Sequence, residues 1–136
     1  MDAVKDSVSP LLLILVVAYN AASTLKGVLE RIPDTITGTD CRVLIIDDAS
    51  LDQTFEVGIL ESQLNDRVEV LVNPVNLGYG GNLRIGYQYS IENRFKVIVL
   101  LHGDSQYPPE KLEELVEAIL CGEADAVFGT RTTEGM

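Results

Sequence analysis

Val97-Ile98-Val99-Leu100-Leu101-His102-Gly103-Asp104-Ser105-Gln106-Tyr107-Pro108-Pro109-Glu110 is the stretch on which the reading of this chain turns. It is apolar and rich in β-branched residues through Leu101, then stops abruptly at a histidine, a carboxylate and turn formers. A run that is apolar at every position is the pattern of a strand covered on both faces in a parallel sheet. Upstream, Val43-Leu44-Ile45-Ile46-Asp47-Asp48-Ala49-Ser50 has the same form. Both deliver carboxylates to the carboxyl edge of a sheet, where open α/β folds bind ligands. Acidic side chains there, with a His and a Gln at alternate positions, suggest a divalent cation and a phosphorylated ligand.

Outward from these two strand ends, the chain alternates between two periodicities. Strands are predicted at about Leu11–Ala18, Arg42–Asp47, Val68–Val72, Lys96–Leu101 and Ala126–Gly129, and helices at about Ala22–Arg31, Asp52–Leu64, Tyr79–Asn93 and Pro109–Cys121. Such alternation implies right-handed βαβ crossovers and a Rossmann-like, three-layer α/β/α fold on a parallel sheet. Ser50 or Asp52 is placed to cap the second helix. Leu112, Leu115, Val116, Ile119 and Leu120 form a core-facing stripe on the fourth, and Gly122 ends it.

With 136 residues, 46% of them hydrophobic, residues 1–136 read as a single globular domain. A net charge of -11 argues against nucleic acid, which demands a basic face. An anionic small molecule can still be held if a metal or helix N-termini offset the repulsion. Cys41 and Cys121 have no metal spacing and read as reduced and structural, which points to a cytoplasmic setting. The apolar run 11–18 is too short to span a bilayer.

The first strand runs into Val17-Ala18-Tyr19-Asn20-Ala21, without the G-x-G-x-x-G of a dinucleotide site. Tyr19 can lie against a base or ribose, or pack on the sheet edge. Asp47 and Asp48 can accept from a base or ribose, or cap the next helix. Asn76-Leu77-Gly78-Tyr79-Gly80-Gly81-Asn82 offers helix amides to a phosphate, or simply needs glycine for a tight turn. In extended chain His102, Asp104 and Gln106 would project to one side and converge. Asp104 suits Mg²⁺ or Mn²⁺, and His102 suits Mn²⁺ or a structural role. Arg131 can clamp a phosphate or stand in solvent.

Taken together, Ala18-Tyr19-Asn20, Ile46-Asp47-Asp48-Ala49-Ser50-Leu51-Asp52, Asn76 through Asn82, His102-Gly103-Asp104-Ser105-Gln106-Tyr107 and Gly129-Thr130-Arg131 resemble the family 2 glycosyltransferases of GT-A fold, in particular the polyprenyl-phosphate mannose and glucose synthases. The resemblance implies an inverting, metal-dependent transfer of a hexose from UDP- or GDP-hexose to an acceptor such as a polyprenyl phosphate. It implies a nucleotide-sugar pocket of Ala18, Tyr19, Asn20, Ile46, Asp47, Asp48, Gly103 and Arg131. It also implies a divalent cation (Mg²⁺ or Mn²⁺) held by Asp104 with His102 and Gln106. Val17 stands where the family usually has Pro, Ala21 where it has Glu, and His102 where it has an acidic residue.

The family's acceptor segment and catalytic base are expected beyond residue 136, so no catalytic base is assigned. The alternative is a nucleotide-sugar-binding module that does not catalyse alone. A phosphoacceptor signalling domain fails on placement, because its acidic pair would end the first strand and a Lys the fifth, where this chain has Tyr19-Asn20 and Thr130-Arg131. A homo-oligomer is expected from uncovered apolar surface. A cytoplasmic location is expected, peripheral to a membrane if the acceptor is lipid.

Overall fold

The computed structural model describes residues 12–37 and 40–128. Four strands, β1 (Leu12–Ala18), β2 (Cys41–Asp47), β3 (Val68–Val72) and β4 (Val97–His102), form one parallel sheet in the order β3-β2-β1-β4. The chain first moves outward from β1 to β3, then returns to the other side of β1. This reversal opens a crevice between the carboxyl ends of β1 and β4, the switch point at which such sheets bind ligands.

The helices are α1 (Leu25–Glu30), a single turn α2 (Asp34–Thr37), α3 (Thr54–Leu64), α4 (Gly78–Glu92) and α5 (Leu112–Leu120), the last preceded by a 3₁₀ turn at Pro109–Lys111. Strand alternation sends Leu12, Ile14, Val16, Val43, Ile45, Val99 and Leu101 to one face, against Leu25 and Val28 of α1 and Leu112 and Val116 of α5. Leu13, Leu15, Leu44 and Ile46 face the other way, beneath Leu83, Ile85 and Tyr89 of α4. Each such buried Leu or Ile contributes about 1.5–3 kcal/mol from removal of apolar surface from water. The β1 residues at 12–16 are at most 2% exposed, so β1 is the centre of both layers.

Several expectations from the sequence need correction. The predicted fifth strand at Ala126–Gly129 does not form over 126–128; a strand exists only where a ladder pairs, and none is made there. Gly129 lies outside the described residues. Helix α1 begins three residues later than expected, because residues 22–24 form a turn in which Thr24 N donates to Ala21 O (3.1 Å). The single turn α2 has no counterpart among the predicted helices. At the end of α5, Gly122 adopts φ 82 and its amide reaches Ile119 O (3.1 Å), while Glu123 N reaches Ala118 O (3.0 Å), the paired closure that glycine makes cheap. Of that helix's expected stripe, Leu112 and Val116 are buried and Leu120 is 49% exposed. Both cysteines are free, and burial pushes the Cys41 thiol up to about 11.

Helix α4 crosses β1 through Gly86. A Cβ there would stand 2.3 Å from Leu15 Cδ2 and 2.9 Å from its Cδ1, and Leu15 is fully buried with nowhere to retreat. Gly86→Ala is therefore expected to lower stability by about 1–3 kcal/mol through overpacking, read by urea unfolding. A change within a few tenths of a kcal/mol would show that α4 does not rest on β1 at this point.

Candidate functional site

At the carboxyl edge, the loop after β1 and the loop after β2 are laced together by side chains. Asn20 adopts φ 49, its amide donates to Ser50 Oγ (2.8 Å), and its Oδ1 accepts from Leu51 N (2.8 Å). Ser50 in turn donates through Oγ and N to Asp47 Oδ1 (2.5 and 3.1 Å). Asp52 accepts from Ala22 N (3.2 Å), Thr54 N (3.0 Å) and the Thr54 hydroxyl, and Thr54 Oγ1 accepts from Ala21 N (2.9 Å). The hydrogen bond from Thr54, with smaller help from the amides, lowers the Asp52 carboxyl. Of the two expected caps of α3, Asp52 thus holds the helix's first amide, while Ser50 serves Asp47.

Asp48 is 3% exposed and is fully occupied by the protein. Its Oδ1 accepts from Leu77 N (2.7 Å) and Asn73 Nδ2 (2.9 Å), and its Oδ2 from Gly78 N (3.0 Å). Burial raises this carboxyl, but the Leu77 amide, the Asn73 and Asn82 side chains and the Gly78 amide together outweigh it, so its pKa is lowered. Asn82 Oδ1 accepts from Asn73 Nδ2 (2.7 Å). Of the amides in this stretch, read from sequence either as offered to a phosphate or as part of a tight turn that needs glycine, those of Leu77 and Gly78 are taken by Asp48, and Gly78 N also reaches Asn76 Oδ1 (3.1 Å).

The loop after β4 is tied to β1 and α1. Gly103 N donates to Val17 O (2.9 Å), and Thr24 Oγ1 donates to Gly103 O (2.6 Å). A Cβ on Gly103 would meet Ala18 Cβ at 3.1 Å, so this close approach favours glycine. Beyond the loop, Arg31 pairs with Glu110 through two parallel bonds of 2.6 and 2.8 Å, and that hydrogen bonding draws the Glu110 carboxyl down to about 2.

The period of two from which the convergence of His102, Asp104 and Gln106 is expected does not continue past His102. The extended chain ends at His102; Asp104 Oδ1 then accepts from Gln106 N (3.1 Å), and Ser105 adopts φ 67. That turn destroys the period of two on which convergence relied. His102 instead stacks on Tyr79, at 5.6 Å between centroids and 4° between planes, and meets Tyr107 at 5.1 Å. Burial, with smaller contributions from Tyr87 and Tyr107, raises the Tyr79 phenol. Sequence reasoning misses Tyr79 and Tyr107, although each sits inside one of the motifs it singles out.

Asp104 is exposed at the crevice, and its Oδ2 has no protein partner among the described residues. One open carboxylate oxygen fits a hard cation shared with a ligand's oxygens. No group of three or more His, Cys, Asp or Glu side chains converges as a cage among the described residues. Of the remaining expected site residues, Tyr19 is 48% exposed at the end of β1, and Ala18 is buried beneath the loop. Ile46 is buried in the core under α4, between its ladder partners Val17 and Leu71. Arg131 lies outside the described residues.

Asp48→Asn is expected to cost about 1–3 kcal/mol at neutral pH, since one acceptor of the helix amides is lost. Because the native pKa is lowered, the charge stabilises the fold above the ordinary carboxylate value of 3.8, and this is lost as pH falls below it. Urea unfolding between pH 7 and pH 3 should show the gap between wild type and variant closing at the acid end. A gap independent of pH would contradict the charged cap.

Known proteins share the sequence pattern and the fold. Glycosyl transferase family 2 matches residues 13–136. The undecaprenyl-phosphate mannosyltransferase of Micrococcus luteus is 32% identical over 123 residues, covering 90% of this chain and 49% of that protein. The polyprenol monophosphomannose synthase of Mycolicibacterium smegmatis is 28% identical over 127 residues, covering 90% and 46%. The chain thus spans about half the length of these relatives. Among solved structures, the mannosyltransferase PcManGT of Pyrobaculum calidifontis, in complex with GDP-Man and Mn²⁺, superposes with a TM-score of 0.62 at 17% identity, over 82% of this chain and 32% of that one. S. aureus TarS in complex with UDP-GlcNAc gives 0.61 at 21%, over 93% and 38%. The shared fold is the three-layer α/β/α arrangement of GT-A glycosyltransferases. By its sequence the chain belongs to glycosyl transferase family 2.

Proposed function

We propose that these residues form the donor-binding half of a hexosyltransferase, which takes a sugar from a nucleotide diphosphate sugar. The observation that carries this is the reversal of strand order at β1 and β4, which brings Ala18-Tyr19 and Gly103-Asp104 together at one crevice. Tyr19, half exposed, is placed to lie against the base or ribose. Asp47 and Asp48 act here by fixing the loops that shape this pocket, and Asn20 by bracing Tyr19 against Ser50. Asp104 would hold a divalent cation, Mg²⁺ or Mn²⁺, with Gln106 beside it. When bound, that cation neutralises charge on the departing nucleoside diphosphate.

The names of the relatives favour a mannosyl donor and a polyprenyl-phosphate acceptor. A lipid phosphate is already ionised at neutral pH and so needs little general-base assistance. No helix among the described residues is long and apolar enough to cross a membrane. A lipid acceptor would be met at the membrane surface. The coverage of about half of each relative favours a second reading, in which this chain binds donor but needs further residues to transfer it. Self-association is the expected response to the outer edge of β4, unpaired among the described residues, and to Phe128, which is 90% exposed.

Calorimetric titration of UDP, GDP, UDP-glucose and GDP-mannose, each with and without Mn²⁺, tests the donor site. Binding that needs Mn²⁺ and vanishes in Asp104→Ala is expected; absence of binding for every nucleotide contradicts the proposal. Light scattering at micromolar concentration should give more than one chain mass, and a clean monomer would rule out self-association.

A further inference from the structure

His102 is set by the register of β4. Val97, Val99 and Leu101 face the layer of α1 and α5, whereas Ile98 and Leu100 face α4. His102 continues the second series, and its ring lies nearly parallel to that of Tyr79 in the first turn of α4. Tyr79 follows Gly78, whose amide is held by Asp48 Oδ2 (3.0 Å) and whose φ of 76 turns the chain into the helix. His102 also meets Tyr107, tilted at 39° with centroids 5.1 Å apart, at the far end of the turn that carries Asp104. The imidazole therefore joins a helix start anchored on β2 to the loop that presents the open carboxylate oxygen.

We infer that His102 is a positioning residue: a ring brace that holds the 103–107 loop against helix α4 through Tyr79 and Tyr107, and not a ligand of the cation. The choice of residue follows from the neighbours. Aromatic faces carry negative charge density, so a carboxylate at this position would lie against two tyrosine rings that repel it. An imidazole suits the same place, because it offers a flat ring for offset stacking. The tyrosines thus account for a histidine at the position where the family resemblance expects an acid.

The part of this inference that concerns the cation rests on the donor-site reading, but the brace can be tested without ligand. Hydrogen exchange would be followed at the amides of Gly103 and Gln106, which donate to Val17 O and Asp104 Oδ1. His102→Ala and His102→Asp should speed their exchange by about 2-fold to about 10-fold, the range that an aromatic pair supplies. His102→Phe should restore exchange to near the wild-type rate. A Phe variant that exchanges like the Ala variant, or an Asp variant that exchanges like wild type, overturns the brace.

The second measurement is Mn²⁺-dependent nucleotide binding in the same variants. A brace predicts that His102→Phe keeps affinity near wild type while His102→Asp weakens it. A ligand role predicts the reverse order, since Asp supplies a metal-binding oxygen and Phe supplies none. Failure of wild type itself to bind would count against the donor-site reading alone, and the exchange result would still decide the brace. Because His102 is the single histidine in the chain, its imidazole resonances report stacking directly, and Tyr79→Leu should move them downfield as the ring current is lost.

Discussion

A buried carboxylate must be answered by donors, and the one at Asp48 organises the whole carboxyl edge. Its two oxygens take the amides of Leu77 and Gly78 and the side-chain nitrogen of Asn73, so β2, the segment after β3 and the first turn of α4 are joined at one charge. The negative charge also complements the positive end of the α4 dipole. Removing it would take from the Leu77 amide its carboxylate acceptor and from the Gly78 amide one of two, a cost that falls on the helix packed over Leu13, Leu15, Leu44 and Ile46. From this anchor Tyr79 reaches His102, and through it the loop that carries Asp104.

The loops of the crevice are tied to one another by short polar side chains that cross between them. Asn20, Ser50 and Asp47 form one chain of contacts, and Ala21, Ala22, Thr54 and Asp52 form another. Neither Tyr19 nor Asp104 takes part in these crossings, and both stay exposed at the edge. The arrangement separates work: polar residues that lace the loops are buried or paired, while the residues turned to solvent are those free to meet a ligand. Preorganisation of this kind reduces the ordering a ligand must impose when it binds.

Much of this is legible in the order of the amino acids alone. The pattern puts β3 at Val68–Val72, where it lies, and β1, β2 and β4 to within a residue at each described end, because buried parallel strands announce themselves as unbroken apolar runs. The carboxyl-edge location of Asp47, Asp48, His102 and Asp104 follows from the same runs. What is not legible depends on contacts between distant positions. Nothing local to Asn76 through Asn82 shows that its amides are answered by Asp48, 29 and 30 residues away. The alternation of His102, Asp104 and Gln106 cannot be carried past Gly103, because Asp104 folds back onto the Gln106 amide. The fifth strand rests on composition, which cannot show whether a ladder forms.

The crevice between β1 and β4 is proposed to bind a nucleotide sugar, with a cation at Asp104. Paramagnetic broadening of amide resonances by Mn²⁺ in the presence of GDP-mannose or UDP-glucose tests it most directly. Broadening centred on residues 103–107 and reaching 18–20 is expected, with shifts around Tyr19 that depend on the nucleotide. Broadening spread over the acidic surface, or centred at the opposite edge near Glu30, Glu61 and Arg67, would contradict it.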